Sequence, residues 1–182
     1  MSVAYAWTMP TPDELVADPR FPWTRELHPK SLSAPVVPEP ARGGAERAIC
    51  PLCLQTDDGY LWTDEHWRVL PYNGIPLRGC VILESRAHVD SFSDLPRDVA
   101  ASYGPVLARI EKAVLSIGDV GRVHVSRWGE GIAHFHTWIM PRPLGVMELR
   151  GPALMAWMEA LPPLDEDEVD QAHLAIARAL RD

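Results

Sequence analysis

Two histidines stand two residues apart in the segment Ala133 to Pro143 (AHFHTWIMPRP). Read as a strand, this segment puts His134 and His136 on one face, about 6.5–7 Å apart along the chain, with Phe135, Thr137 and Ile139 on the other. Two imidazoles so placed can share a metal, or one can hold a metal while the other does chemistry. Farther back lies Cys50-Pro51-Leu52-Cys53. Two cysteines at this spacing on a tight turn can point at one metal, or they can be a redox pair or two buried thiols. His88 follows an apolar run. Taken together, Cys50, Cys53, His88 and His134 would satisfy tetrahedral zinc with no open position. His136 is then the unligated neighbour, and a neutral imidazole beside a filled metal site can attack phosphorus.

The elements that must carry these groups can be read in order. Eight prolines between Pro10 and Pro40 interrupt residues 1–48. Thr11–Ala17 is predicted as a short helix capped by Thr11, with Pro12 in its first turn, and Pro35–Gly44 as an extended connector. Trp7, Phe21 and Trp23 suggest that this arm packs on the domain or on a second subunit. Tyr60–Thr63 and His66–Tyr72 read as a hairpin about Asp64-Glu65, and Arg78–Glu84 as a buried strand with Cys80 in the core. Asp94–Ile117 is predicted as a long helix, capped by Asp94, with Pro96 in the first turn and Gly118 at its end. Val99, Tyr103, Val106, Ile110, Ala113 and Ile117 form its apolar face. Gly121–Arg127 and His134–Met140 read as an antiparallel pair turning at Trp128–Gly131, with Pro141 and Pro143 stopping the second strand. Pro152–Leu161 and the stretch from Asp165 to the end are predicted helices. The expected fold is therefore α+β: a five-stranded antiparallel sheet, one long helix and C-terminal helices. The expected division is an arm at 1–48, a core at 49–149 and a helical extension at 150–182.

Composition narrows the function. Over 182 residues the net charge is −8 and the pI about 5.3, so no basic face for duplex nucleic acid is expected. No apolar run approaches the roughly 20 residues needed to span a bilayer. The first residues lack the basic and apolar regions of a signal peptide. A cytoplasmic setting with reduced thiols is expected, which favours ligand or core roles for the three cysteines.

The ordered set CPLC, PLRGCVILESRAHV, the helix opening at DLP and HFHTWIMPRP resembles the histidine triad superfamily. Within it, the likeness is to the zinc-bearing branch with the hexose-phosphate uridylyltransferases. It covers about Cys50 to Pro143, roughly half the chain. It implies structural zinc on Cys50, Cys53, His88 and His134, and His136 as the nucleophile that takes a nucleotidyl group from an α-phosphorus. The implied partner is a nucleoside phosphate or a nucleotide-sugar-like small molecule, and a homodimer is the default assembly. The resemblance departs from the family at the third triad position, which is Trp138. Hydrolases carry histidine there and transferases typically glutamine; an indole only donates. Gly131-Ile132-Ala133 also replaces the usual polar residue before the triad.

Further pocket candidates each carry two readings. Asn73 is near where family members bind ribose, or is half of a turn pair with Gly74. Arg127 and Arg142 could screen phosphate charge or lie on the surface. Ser126 could donate to phosphate, and Trp138 could donate to it or wall the pocket. His124 reads as a core histidine, and His28, His66 and His173 as surface residues. Three functions stay open: a hydrolase or nucleotidyltransferase working through His136, a non-catalytic nucleotide- or partner-binding module, and the same histidine site adapted to a different substrate.

Overall fold

The computed structural model describes residues 12–24, 31–158 and 160–182. Helix α1 spans Pro12–Ala17 and helix α2 Pro51–Leu54. The strands are β1 Trp62–Thr63, β2 Trp67–Pro71, β3 Val81–Ser85, β4 Val120–Ser126 and β5 His136–Pro143. Helix α3 is Arg97–Leu115, α4 Ala153–Trp157 and α5 Glu166–Ala179. The strands form one antiparallel sheet in the order β1-β2-β3-β5-β4. The expected class and strand pairing are both present. Thr11, the expected cap of α1, lies outside the described residues, as do Trp7 and His28.

The sheet has two unlike faces because side chains alternate along each strand. On one face Val69, Leu83, Val81 and Ile139 pack with Trp67 and Phe135 against α3 and α5. Val99, Val106, Ile110, Ala113 and Val114 meet them from α3, and Ile176 and Leu180 from α5. The other face carries Arg68, Glu84 and His136 in one cross-strand row, since Arg68 pairs with Glu84 and Glu84 with His136. The next row on that face is Leu70, Ile82, Trp138 and Ser126. A second apolar cluster covers its far end. There Ile75, Leu77, Cys80 and Met140 meet Leu149 and Leu154 of the C-terminal segment.

Several boundaries differ from the sequence expectation, each for a local reason. Helix α3 starts at Arg97, not Asp94. Pro96 forces Leu95 into extended backbone (ψ 132°), which the helix cannot cross. Asp94 instead closes a capping box with Ser91 around the short turn before it. The helix ends at Leu115 with Ser116 as its cap, short of the expected Ile117, and Gly118 follows in the turn at φ +77°. Pro105 sits inside α3, on its exposed side, without ending it. Strand β5 begins at His136 rather than His134 and runs through Pro141 and Pro143. Beyond Ile139, which pairs with the first residue of β3, β5 has a partner on one side only, so prolines are tolerated there. Helix α4 is shorter than Pro152–Leu161, and turn bonds carry the chain from Met158 to Leu161. Helix α5 is capped by Asp165, whose carboxylate accepts from the amides of Asp167 and Glu168. His173 is not a surface residue. It is buried on the inner stripe of α5 and bonds through Nε2 to the Cys80 carbonyl at 2.9 Å.

Candidate metal centre and nucleophile

Cys50, Cys53, His88 and His134 converge from three separate parts of the chain. Cys50 and Cys53 bracket the first turn of α2, where Pro51 takes the position that needs no amide donor. His88 leaves β3 on an irregular segment. His134 stands just before β5, where the Phe135 amide bonds to the Val89 carbonyl and the Ser85 amide to the Phe135 carbonyl. The four donor atoms lie within 4.8 Å of one another. Cys50 Sγ is 3.4 Å from His134 Nδ1, Cys53 Sγ 3.5 Å from the same nitrogen, and Cys53 Sγ 3.3 Å from His88 Nδ1. With Zn–S near 2.3 Å and Zn–N near 2.0 Å, a tetrahedral zinc sets sulfur–nitrogen edges of about 3.5 Å. Three of the cluster's sulfur–nitrogen edges, at 3.3–3.5 Å, already have that length.

The outer contacts also fit a metal. His134 Nε2 is 2.6 Å from the Ser85 carbonyl and His88 Nε2 3.3 Å from the Ala45 carbonyl. A carbonyl only accepts, so each Nε2 carries the proton and each Nδ1 presents its lone pair to the thiols. Burial pushes the His134 imidazole below its ordinary pKa, which keeps it neutral, as a ligand must be. A redox pair, the other reading of the two cysteines, gives no account of two imidazoles presented in this way.

The arm completes this end of the site. Gly43 bridges Ile132 in parallel: its amide donates to the Gly131 carbonyl and its carbonyl accepts from the Ala133 amide. Arg42 pairs with Asp90 and donates to the Gly129 carbonyl at 2.5 Å. The Arg42 guanidinium holds the Asp90 carboxyl below the usual carboxylate range. Gly44 is buried at φ +68°, and a Cβ there would stand 3.3 Å from Cys50 Sγ. Gly44→Ala is therefore expected to speed zinc loss to a chelator about tenfold, the scale of a disturbed outer partner. A release rate equal to wild type would contradict the close approach.

His136 is 9 % exposed, and its Nδ1 lies 2.8 Å from the His134 carbonyl. The proton is therefore on Nδ1, and Nε2 keeps its lone pair. Nε2 makes no hydrogen bond among the described residues. Trp138 stands edge-on to His136 with ring centres 6.5 Å apart, and also meets Tyr72 at 4.6 Å and Trp128 at 5.8 Å.

Two cavities share Trp128 of this aromatic row. One, of about 670 Å³, is walled by Arg42, Asp90, Arg127, Trp128 and the loop Gly129–Gly131. The other, of about 380 Å³, is walled by His124, Ser126, Trp128, Met140 and the start of the C-terminal segment. His136 is set back from both linings. Arg127 lines the first cavity, with its guanidinium over the Phe135 ring at 5.1 Å. Ser126 lines the second cavity. His124 lines it too, with Nε2 buried and without a partner.

The structure does not bring Asn73 or Arg142 to this place. Asn73 is exposed, beyond the end of β2 remote from His136, on a separate cavity with Met158 and Leu161. Arg142 is buried about 20 Å along β5 from His136, where it donates to the carbonyls of Pro143 and Val146. Sequence reasoning passed over Arg68 and Glu84, which are almost fully buried and joined at 2.7 Å. Burial pushes the Glu84 carboxyl up, against the opposing pull of Tyr60 and Arg68. The available signal was a lone charge in each of two apolar strands, WRVLP and VILES.

No family model matches the chain, and no curated protein matches it significantly in sequence. Solved structures do match. A zinc-bound histidine triad family protein from Mycobacterium smegmatis aligns at 15 % identity and TM-score 0.55, over 75 % of this chain and 96 % of its own. A histidine triad protein from Bradyrhizobium japonicum aligns at 19 % and 0.54, over 66 % and 89 %. One from Marinobacter aquaeolei aligns at 18 % and 0.53, over 67 % and 88 %.

The chain has the histidine triad fold.

At these identities the likeness concerns the fold. The donor set, the carbonyl bonded to each of its two histidines and the ring-nitrogen assignment of His136 are properties of this chain's own residues. No helix among the described residues is long and apolar enough to cross a membrane.

Proposed function

We propose that this protein is a nucleotide-handling enzyme, a hydrolase or nucleotidyltransferase, in which His136 attacks the α-phosphorus of a nucleoside phosphate or nucleotide-sugar-like substrate. The observation that carries the reading is the pair of bonds on successive histidines. His134 Nε2 is bonded to the Ser85 carbonyl, and the His134 carbonyl accepts from His136 Nδ1. Whatever fixes His134 thereby fixes the direction of the His136 lone pair. Cys50, Cys53, His88 and His134 would hold a structural zinc, which supplies rigidity and takes no part in bond making.

The chemistry needs little from the protein beyond orientation. His136 Nε2 forms a bond to phosphorus as the bond to the leaving oxygen breaks in line. The ring then carries positive charge, and the His134 carbonyl stabilises it through the Nδ1 proton. Water or a phosphate acceptor next takes the nucleotidyl group and frees the ring. Arg127 and the backbone of Gly129–Gly131 would offset phosphate charge in the larger cavity, and Ser126 and Trp138 would line the other side.

The same reading takes residues 49–149 as the core, with the arm 1–48 and the extension 150–182 closing over it. It places the protein in the cytoplasm, where its free cysteines stay reduced. A homodimer would extend the sheet at β4, the edge strand that exposes Val125. Trp138 in the third triad position supports assignment to the uridylyltransferase-like branch only in that histidine is missing there too.

Mass spectrometry after incubation with nucleoside diphosphate sugars and dinucleotides tests the mechanism. A nucleotidyl adduct on His136 is the expected result. A second reading has its own support: Trp138 offers no acceptor, and His136 is nearly closed off. A non-catalytic binding module would bind nucleotide in calorimetry and form no adduct with any of these substrates.

A further inference from the structure

Arg68, Glu84 and His136 stand in one row across β2, β3 and β5. Arg68 is 4 % exposed and Glu84 fully buried. Arg68 Nη2 lies 2.7 Å from Glu84 Oε1, which also accepts from the Tyr60 hydroxyl at 2.5 Å. The same guanidinium reaches up into the cysteine turn. Nη2 donates to the Leu52 carbonyl at 2.6 Å and Nη1 to the Gln55 carbonyl at 3.2 Å. Those two carbonyls flank Cys53. The guanidinium also lies over the Tyr60 ring at 4.7 Å.

An ion pair in this position needs an explanation other than stability. Buried pairs are commonly replaced by apolar side chains of similar volume with no loss, because desolvation offsets their attraction. Arg68 Nε and Glu84 Oε2 are themselves buried without partners. What an apolar pair could not do is hold a carbonyl of a four-residue helix and the carbonyl of its C-terminal cap at a set distance from the sheet. We propose that Arg68, with Glu84 as its counter-charge, is a positioning residue that clamps the cysteine turn onto the strand row of His136 and presets the thiols for the metal. This rests on the zinc reading above. It goes beyond it in assigning part of the metal affinity to a pair that touches neither metal nor substrate.

The test compares zinc dissociation constants, measured by competition with a chromophoric chelator on the full chain, with thermal midpoints of the metal-free proteins. The double variant Arg68→Met with Glu84→Leu removes both charges together. Its metal-free midpoint should equal or exceed that of wild type, while its dissociation constant rises by roughly 10–100-fold, the range for outer partners of metal ligands. A merely structural pair would lower the midpoint and leave affinity unchanged. A dissociation constant within threefold of wild type overturns the proposal.

If the double variant does not fold, Arg68→Lys replaces it. This variant keeps the charge beside Glu84, but one ammonium cannot span both carbonyls. A loss of affinity of about tenfold or more is again expected there, and unchanged affinity overturns the proposal. A wild-type protein that binds no zinc would sink the zinc reading and this proposal together. Zinc bound equally by wild type and variant would sink this proposal alone.

Discussion

His136→Ala is expected to lower nucleotidyl transfer by roughly a thousandfold or more, which corresponds to at least about 4 kcal/mol of barrier. The imidazole is the only proposed covalent partner of phosphorus, and alanine offers no lone pair in its place. Zinc content and thermal midpoint should stay close to wild type. His136 is outside the donor cluster, and among the described residues its hydrogen bond is to the His134 carbonyl. Steady-state turnover, metal analysis and thermal unfolding on the same preparation check all three. Turnover equal to wild type would remove His136 from the mechanism. Lost turnover accompanied by lost zinc would show that the ring acts through the metal site instead.

Cys50→Ser should act in the opposite way, on the metal first and activity second. Cys50 is fully buried beside His134, so serine leaves a weak, protonated oxygen where a thiolate is needed. Zinc affinity should fall by more than the roughly 10–100-fold expected for an outer partner. With free zinc at 100 times the dissociation constant, bound metal contributes about 2.7 kcal/mol to stability. Losing that would lower the thermal midpoint by roughly 5–10 °C for a chain of this size. Chelation of wild type should reproduce the shift, and chelator should do little to the variant. Acid should do the same to wild type, since protons compete for thiolate and imidazole, so zinc is retained at neutral pH and released as pH falls. A variant with full zinc and an unchanged midpoint would contradict the metal assignment.

Much of this site was legible in residue types and spacing. The cysteine pair, His88 and the HFH segment named a donor set before any fold was known, because few arrangements place two thiols and two imidazoles so economically. The two hairpins are legible from alternation and their turns, and α3 from its three-and-four repeat, whereas the strand order comes only from the structure. The boundaries that failed did so where one residue's backbone preference met a tertiary alternative. Pro96 excluded Leu95 from the helix, while Pro141 was accepted in β5 because β3 had already ended beside it.

What only the tertiary structure decided is which side chains share a row or a carbonyl. Alternation within a strand cannot say that Glu84 pairs with His136 and not with a residue two positions away, since register is set between strands. Nor can the local sequence tell Arg127, which lines a cavity, from Arg142, which is buried about 20 Å along β5 from His136. The placement of the arm at Gly43–Ala45 is likewise invisible in its own residues, because its partners are the backbone of Ile132 and a ring nitrogen of His88. Residue chemistry is local and can be read along the chain. Proximity between distant segments is the product of the whole packed core.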